Sequence, residues 1–422
     1  MKLAGLSLDQ APPIRVPFRF FLSAPLFGVA AAVLLLWQGP ALLDSRWQPA
    51  ALAVTHLVTL GFLGLVMMGA LMQMLPVVAG APVARPVGVA RAVHALLLAG
   101  ILALVVGLLL SQPLWMRAAV FLLGGGLAVF LIAAALSLRR AVANPSSRAM
   151  RYALLGLLVA SALGLLLGSN HGWGWWLQER ALVTNLHLAW GLLGWVGLLV
   201  TGVAYQVVPM FQVTPAYPGW LTRSLVPLLF AVLVLWSVLA LWAPAAAVLA
   251  GIALAVLLGV FAFITLRLQS QRKRKVSDVT LDFWRFAMGC LLLALSGWLG
   301  VQLGDVAGRL ALLPVLLFAL GFAVSVVNGM LYKIVPFLVW FHLQSRSTNI
   351  LAVPNMKAII PLQRMRVQLW LHMASVALLS LSCLWPPLLY LAAPLLALSM
   401  LWLEAALLAA FLLFRRLECE LV

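Results

Sequence analysis

The sequence predicts an all-α polytopic membrane protein of twelve transmembrane helices in three four-helix arcs with pseudo-threefold symmetry. Three observations predict it. The composition is 65% hydrophobic and 9% charged with a mean hydropathy of +1.13, whereas a soluble globule carries about 25% charged residues. The chain contains twelve apolar runs near the length of about 20 residues that spans a bilayer. A sixteen-residue motif recurs three times: residues 61–76 read G-F-x6-G-x-x-M-Q-x-L-P, 194–209 read G-W-x6-G-x-x-Y-Q-x-V-P and 321–336 read G-F-x6-G-x-x-Y-K-x-V-P. The copies align without a gap at offsets of 133 (194 minus 61) and 127 (321 minus 194).

The first 17 residues hold Lys2, Asp9, Pro12, Pro13 and Arg15. They lack an apolar core with a small-residue cleavage site, so they predict a short cytoplasmic tail rather than a cleavable signal. The first block has runs at 18–38, 50–78, 90–111 and 115–138, the second at 150–168, 181–211, 223–242 and 244–268. The third has runs at 279–303, 309–340, 364–384 and 386–413. Each motif copy falls in the second run of its block, which makes the chain one membrane domain of three repeats, approximately 18–138, 150–268 and 279–413.

A formal charge of +18 would suggest nucleic acid in a soluble protein, but its placement points elsewhere. With the N-terminus inside, all of the 27 Lys and Arg except Arg46, Arg117, Arg180 and Arg309 are cytoplasmic, which leaves 23 on that side. This is the positive-inside pattern of a bacterial-type inner membrane protein with both termini cytoplasmic. Arg139, Arg140, Arg148, Arg151 and the QRKRK run at 271–275 carry much of it and face anionic headgroups. Membrane lipids are therefore the expected partner and nucleic acid is not. Cys290, Cys383 and Cys419 are scattered and indicate neither a disulfide framework nor a thiolate metal site.

The motif glycines are eight apart, a little over two helical turns, so they share one face and allow close helix approach. The plain reading is packing around a centre lined by the second helix of each block. The prolines are expected to end or kink those helices near the cytoplasmic side.

These residues carry a resemblance. Twelve helices in three arcs is the plan of subunit I of the haem-copper oxidases. GALMQMLPVVAGAPV resembles that family's exit from its second helix, matching at Gly69, Pro76, Gly80, Ala81 and Pro82. FRFFL at 18–22 and H-x4-G-F-x6-G-x6-P from His56 to Pro76 resemble the start of the NnrS family, membrane proteins associated with haem and copper and linked to defence against nitric oxide. The specific matches cover about the first fifth of the chain.

Histidine is rare and costly in a spanning helix, and neutral imidazole suits iron and copper. His56 lies seven residues past Pro49 and His187 seven past Arg180, so each is roughly 10 Å into the outer leaflet. By resemblance, His56 inherits the low-spin haem ligand of the second helix and His187 the copper ligand of the sixth. Set against this, each could be a buried histidine bonded to a carbonyl or to a hydroxyl such as Thr55. Equal depth suggests one shared outer-leaflet site, while a register difference of two residues relative to the motif opposes it. His372, six residues past Arg366, is a candidate ligand for a second cofactor. His94 and His342 are expected at the cytoplasmic interface, and His171 in an external loop HGWGWW. Glu404 is the one carboxylate well inside a spanning run, a proton-path candidate that packing would explain as well.

Residues 309–340 and 223–242 contain no histidine, so an oxidase-type haem-copper centre cannot be assembled, and Val83 stands where the family has its proton-channel Asp. The resemblance then implies haem, and admits copper, in nitric oxide or oxygen-related redox chemistry or electron transfer. Quinol, a periplasmic electron-transfer protein or other respiratory subunits are the partners it implies. The alternative is a non-redox transporter or a structural subunit of a respiratory complex on the same scaffold; whether the chain is an enzyme stays open.

Overall fold

The computed structural model describes residues 10–175, 177–273, 276–304, 308–345 and 353–421, and these contain helices and no strand. Arg274 and Lys275 of the basic run lie outside the described residues. In chain order the long helices are α1 (Arg15–Asp44), α2 (Pro49–Ala79), α3 (Pro86–Leu110), α4 (Pro113–Leu138), α5 (Pro145–Trp173) and α6 (Arg180–Gln212). Then follow α7 (Gly219–Trp242), α8 (Pro244–Ser270), α9 (Val279–Leu303), α10 (Gly308–Gln344), α11 (Leu362–Ser382) and α12 (Pro386–Cys419).

Among the described residues eleven of these helices are long and apolar enough to cross a membrane, one fewer than expected. The exception is α11, where Gln363, Arg364, Arg366, Gln368 and His372 lower the hydropathy. Gln363, Arg364 and Arg366 in its first turns are exposed, whereas further along Gln368, His372, Ser375 and Ser382 are buried and Trp370 is 64% exposed. The outward faces of the other helices carry Phe121, Ile132, Leu249 and Phe263. The chain is a multi-pass membrane protein with apolar helices against lipid.

Local chemistry sets the helix ends. Proline opens α2, α3, α4, α5 and α8, where its missing N–H costs nothing. At α5 the Asn144 side chain also accepts from the Ser147 N–H at 2.7 Å in a capping box. One expectation is corrected here. His171 is helical, because α5 runs on to Trp173 and stops where Gly174 adopts the left-handed conformation (φ 69°). The motif prolines Pro76, Pro209 and Pro336 sit inside their helices, α2 and α6 ending three residues past theirs, and His342 is buried near the end of α10.

The chain forms two compact units. One comprises Met1–Pro12, Leu71–Lys275 and Met288–Ala307, the other Pro13–Ala70, Val276–Ala287 and Gly308–Val422. Within the first, α5 packs on α6 at glycines: Gly156 abuts the backbone of Gly194, and Gly202 abuts Ala149. Within the second, Gly61 and Gly69 of α2 abut Phe27 and Phe20 of α1, and Gly329 of α10 abuts Phe283 of α9. The later motif glycine thus meets the first helix of its own block in all three copies, which is the close approach that small residues permit.

Candidate functional site

The motif helices share a backbone feature that sequence reasoning missed. Leu57–Gly64 of α2, Trp190–Gly197 of α6 and Leu317–Val324 of α10 are π-helical, each beginning four residues before the first motif glycine. Their offsets are those of the motif itself. A π-helical turn inserts a residue, widens the helix and is concentrated at functional sites. In the second unit the π segments of α2 and α10 touch, and α11 lies against that of α10.

Both predicted outer histidines precede these segments. His56 is one residue before the first π segment and His187 three before the second, so the register difference of two persists. Each is the eighth residue of its helix, because α2 starts at Pro49 and α6 at Arg180. His56 is half-buried and its Nδ1 lies 2.7 Å from the Leu52 carbonyl one turn back. His342 and His171 make the same local contact, to Leu338 at 2.9 Å and Leu167 at 3.0 Å, so this bond does not single His56 out. His187 differs. Its Nδ1 lies 2.9 Å from the carbonyl of Ala160, on the neighbouring helix α5. One turn further along α5, Gly164 leaves the room its ring occupies: a Cβ there would be 2.8 Å from Cε1. An imidazole oriented by a carbonyl bond at Nδ1 presents Nε2 as its ligating nitrogen, the usual support for a metal-binding histidine.

His372 is fully buried in the second unit, with Nε2 2.8 Å from Ser325 Oγ and with Phe283 and Phe286 rings centred 6.0 and 6.3 Å away. Glu404 is half-buried in α12, with a buried Oε2 that meets no hydrogen-bond partner. Among the described residues no group of three or more His, Cys, Asp or Glu gathers to hold a metal ion. His171 lines an open hollow of about 490 Å³ with Asn170, Trp175, Gln178 and Arg180.

Unanticipated polar groups line the motif helices. Thr201 and Tyr205 of α6 and Asn328 and Tyr332 of α10, at equivalent repeat positions, are buried and have side-chain polar atoms without a hydrogen-bond partner. The residue before the later motif glycine (Met68, Thr201, Asn328) was the signal that could have found them. Lys333, which replaces the motif glutamine in the third copy, pairs with Asp278 of the α8–α9 connection at 2.9 Å. In the connection from α6 to α7, Tyr217 bonds Thr265 Oγ1 at 2.9 Å, and burial pushes its phenol above the ordinary range. No protein-family model matches the chain, and no curated protein matches it.

Proposed function

We propose that this chain is a haem-binding inner membrane protein of the oxidase-like or NnrS-like type, acting in nitric oxide or oxygen-related redox chemistry or in electron transfer. The observation that carries the reading is His187, an imidazole inside a spanning helix held at Nδ1 by the Ala160 carbonyl of another helix over the Gly164 gap. The residues fit haem better than a bare metal ion. Haem brings four equatorial nitrogens and asks the protein for one or two axial groups, whereas copper without a macrocycle draws on several side chains, and no such group gathers among the described residues. His187 would be the residue of choice to hold the haem and His56 the second outer-leaflet candidate; copper remains the lesser proposal. His372 has Nε2 on Ser325, so Nδ1, which has no hydrogen-bond partner, would be the nitrogen it offers a second cofactor.

When bound, the haem would supply a redox-active iron that accepts an electron or a small gas. The chain's own part is to fix the His187 tautomer through the Ala160 carbonyl and to leave its ring room at Gly164. We further propose that α11 also crosses, which would complete twelve helices in three arcs, with both termini cytoplasmic. The 23 to 4 partition of Lys and Arg supports that orientation.

Visible spectroscopy of the protein purified in detergent from haem-replete cells tests the reading. A Soret band that His187→Ala diminishes is the expected result, with His56→Ala measured beside it. A folded wild type with no haem overturns it and favours the second reading, a transporter or structural subunit. The buried, unpartnered Thr201 and Tyr205 of α6 speak for that alternative.

A further inference from the structure

We infer that α9, α10 and α11 enclose a hydrated polar path that leads water from the Asp278–Lys333 pair to the buried His372. The inference is independent of whether haem is bound. Ser325, Asn328 and Tyr332 fall at i, i+3 and i+7 on one face of α10, with Lys333 beside them, a stripe of about 12 Å at 1.5 Å per residue. Asn328 is 0% and Tyr332 2% exposed, yet both amide atoms of Asn328 and the Tyr332 hydroxyl have no hydrogen-bond partner. On α11, His372 and Gln368 are one turn apart and 0% exposed; Gln368 Nε2 donates to Ser399 Oγ at 3.0 Å while its Oε1 is unpaired. On α9, Thr280 Oγ1 and Trp284 Nε1 are buried and unpaired as well.

These groups belong to one place. Phe283 lies against Gly329, its ring 6.2 Å from that of Tyr332 and 6.0 Å from that of His372, so the three helices meet around it. A buried polar atom is costly unless hydrogen-bonded, and several on facing helices in a membrane mark a site for water rather than a packing error. The ends of the path differ. Asp278 and Lys333 are 13% and 30% exposed, so they reach solvent. His372 is the buried terminus.

Ser325 Oγ lies 2.8 Å from His372 Nε2, a contact in which either group can be the donor. His372 Nδ1 has no hydrogen-bond partner in the protein and is left for water at the inner end of the path. Around the imidazole lie Ser325, the Leu320 carbonyl, Phe283 and Phe286; the charged groups on the path are those at its mouth.

The wild-type protein in nanodiscs provides the test. Synchrotron hydroxyl-radical footprinting should label Tyr332 within an order of magnitude of the exposed Tyr390, and in D2O the His372 Cε1 hydrogen should exchange on the timescale of the exposed His171. Absence of both signals at Tyr332 and His372 overturns the proposal without recourse to a variant. In folded Asn328→Leu, exchange at His372 should slow at least tenfold, a rate ratio of the size that loss of one hydrogen-bonded relay gives, with His171 unchanged. Equal exchange in that variant also overturns it.

Discussion

Gly156 of α5 lies against the carbonyl of Gly194 of α6 so closely that a side chain at Gly156 would overlap the neighbouring backbone. A backbone carbonyl cannot rotate aside as a side chain can. The helix-propensity gain of about 0.5–1 kcal/mol for Gly→Ala is therefore outweighed by overpacking of about 1–3 kcal/mol or more. Gly156→Ala should lower the melting temperature in detergent. Gly259→Ala in α8, where a Cβ meets nothing within 4 Å, should leave it unchanged or slightly raised; equal behaviour of the two would contradict the contact.

Gly164→Ala is expected to disturb His187 specifically, because its Cβ would stand 2.8 Å from the imidazole. The Soret band of the haem-loaded protein should shift or weaken. Gly191→Ala, one turn from His187 on α6 with nothing near its Cβ, should keep the wild-type spectrum. A folded Gly164→Ala protein with an unaltered spectrum would remove His187 as an axial ligand.

Lys333→Met strips Asp278 of its ion pair and leaves it with the Thr280 N–H at 3.1 Å. Since Asp278 is 13% exposed, we expect a loss of about 1–3 kcal/mol, the cost of a buried group robbed of its partner. The double variant with Asp278→Asn should lose less than the sum of the single losses, with a coupling of about 0.5–3 kcal/mol. Additive denaturation midpoints would show that the pair contributes nothing.

Orientation can be read from reporter fusions. Alkaline phosphatase should be active when fused in the 174–179 connection and silent at 271–273, with a cytoplasmic reporter giving the opposite pattern. Activity of the phosphatase at 271–273 would invert the topology.

Much of the fold was legible because membrane insertion is a local, one-dimensional constraint. Run length and hydropathy place the helices wherever no polar face intervenes, and the start of α2 at Pro49 and of α6 at Arg180 followed from residue chemistry. α11 falls below the same criterion, since hydropathy averages over a helix and counts the buried Gln368, His372 and Ser375 together with the exposed Gln363, Arg364 and Arg366. The motif prolines were expected to end or kink their helices; inside a membrane bundle the lost backbone bond can be made good by neighbours, and α2, α6 and α10 continue past them.

By itself the sequence determined the membrane class, the helical architecture, the threefold motif and the glycine faces, all of which depend on composition or on spacing along one helix. Tertiary structure alone decided what the polar side chains meet. The bond of His56 to Leu52 is local and spans four residues, but that of His187 to Ala160 spans 27 and exists only because α5 and α6 pack at Gly156, Gly194 and Gly202. Asn328 and Tyr332 look like ordinary motif neighbours until α9 and α11 enclose them. Periodicity tells which residues share a face; which face of another helix they confront is set by packing.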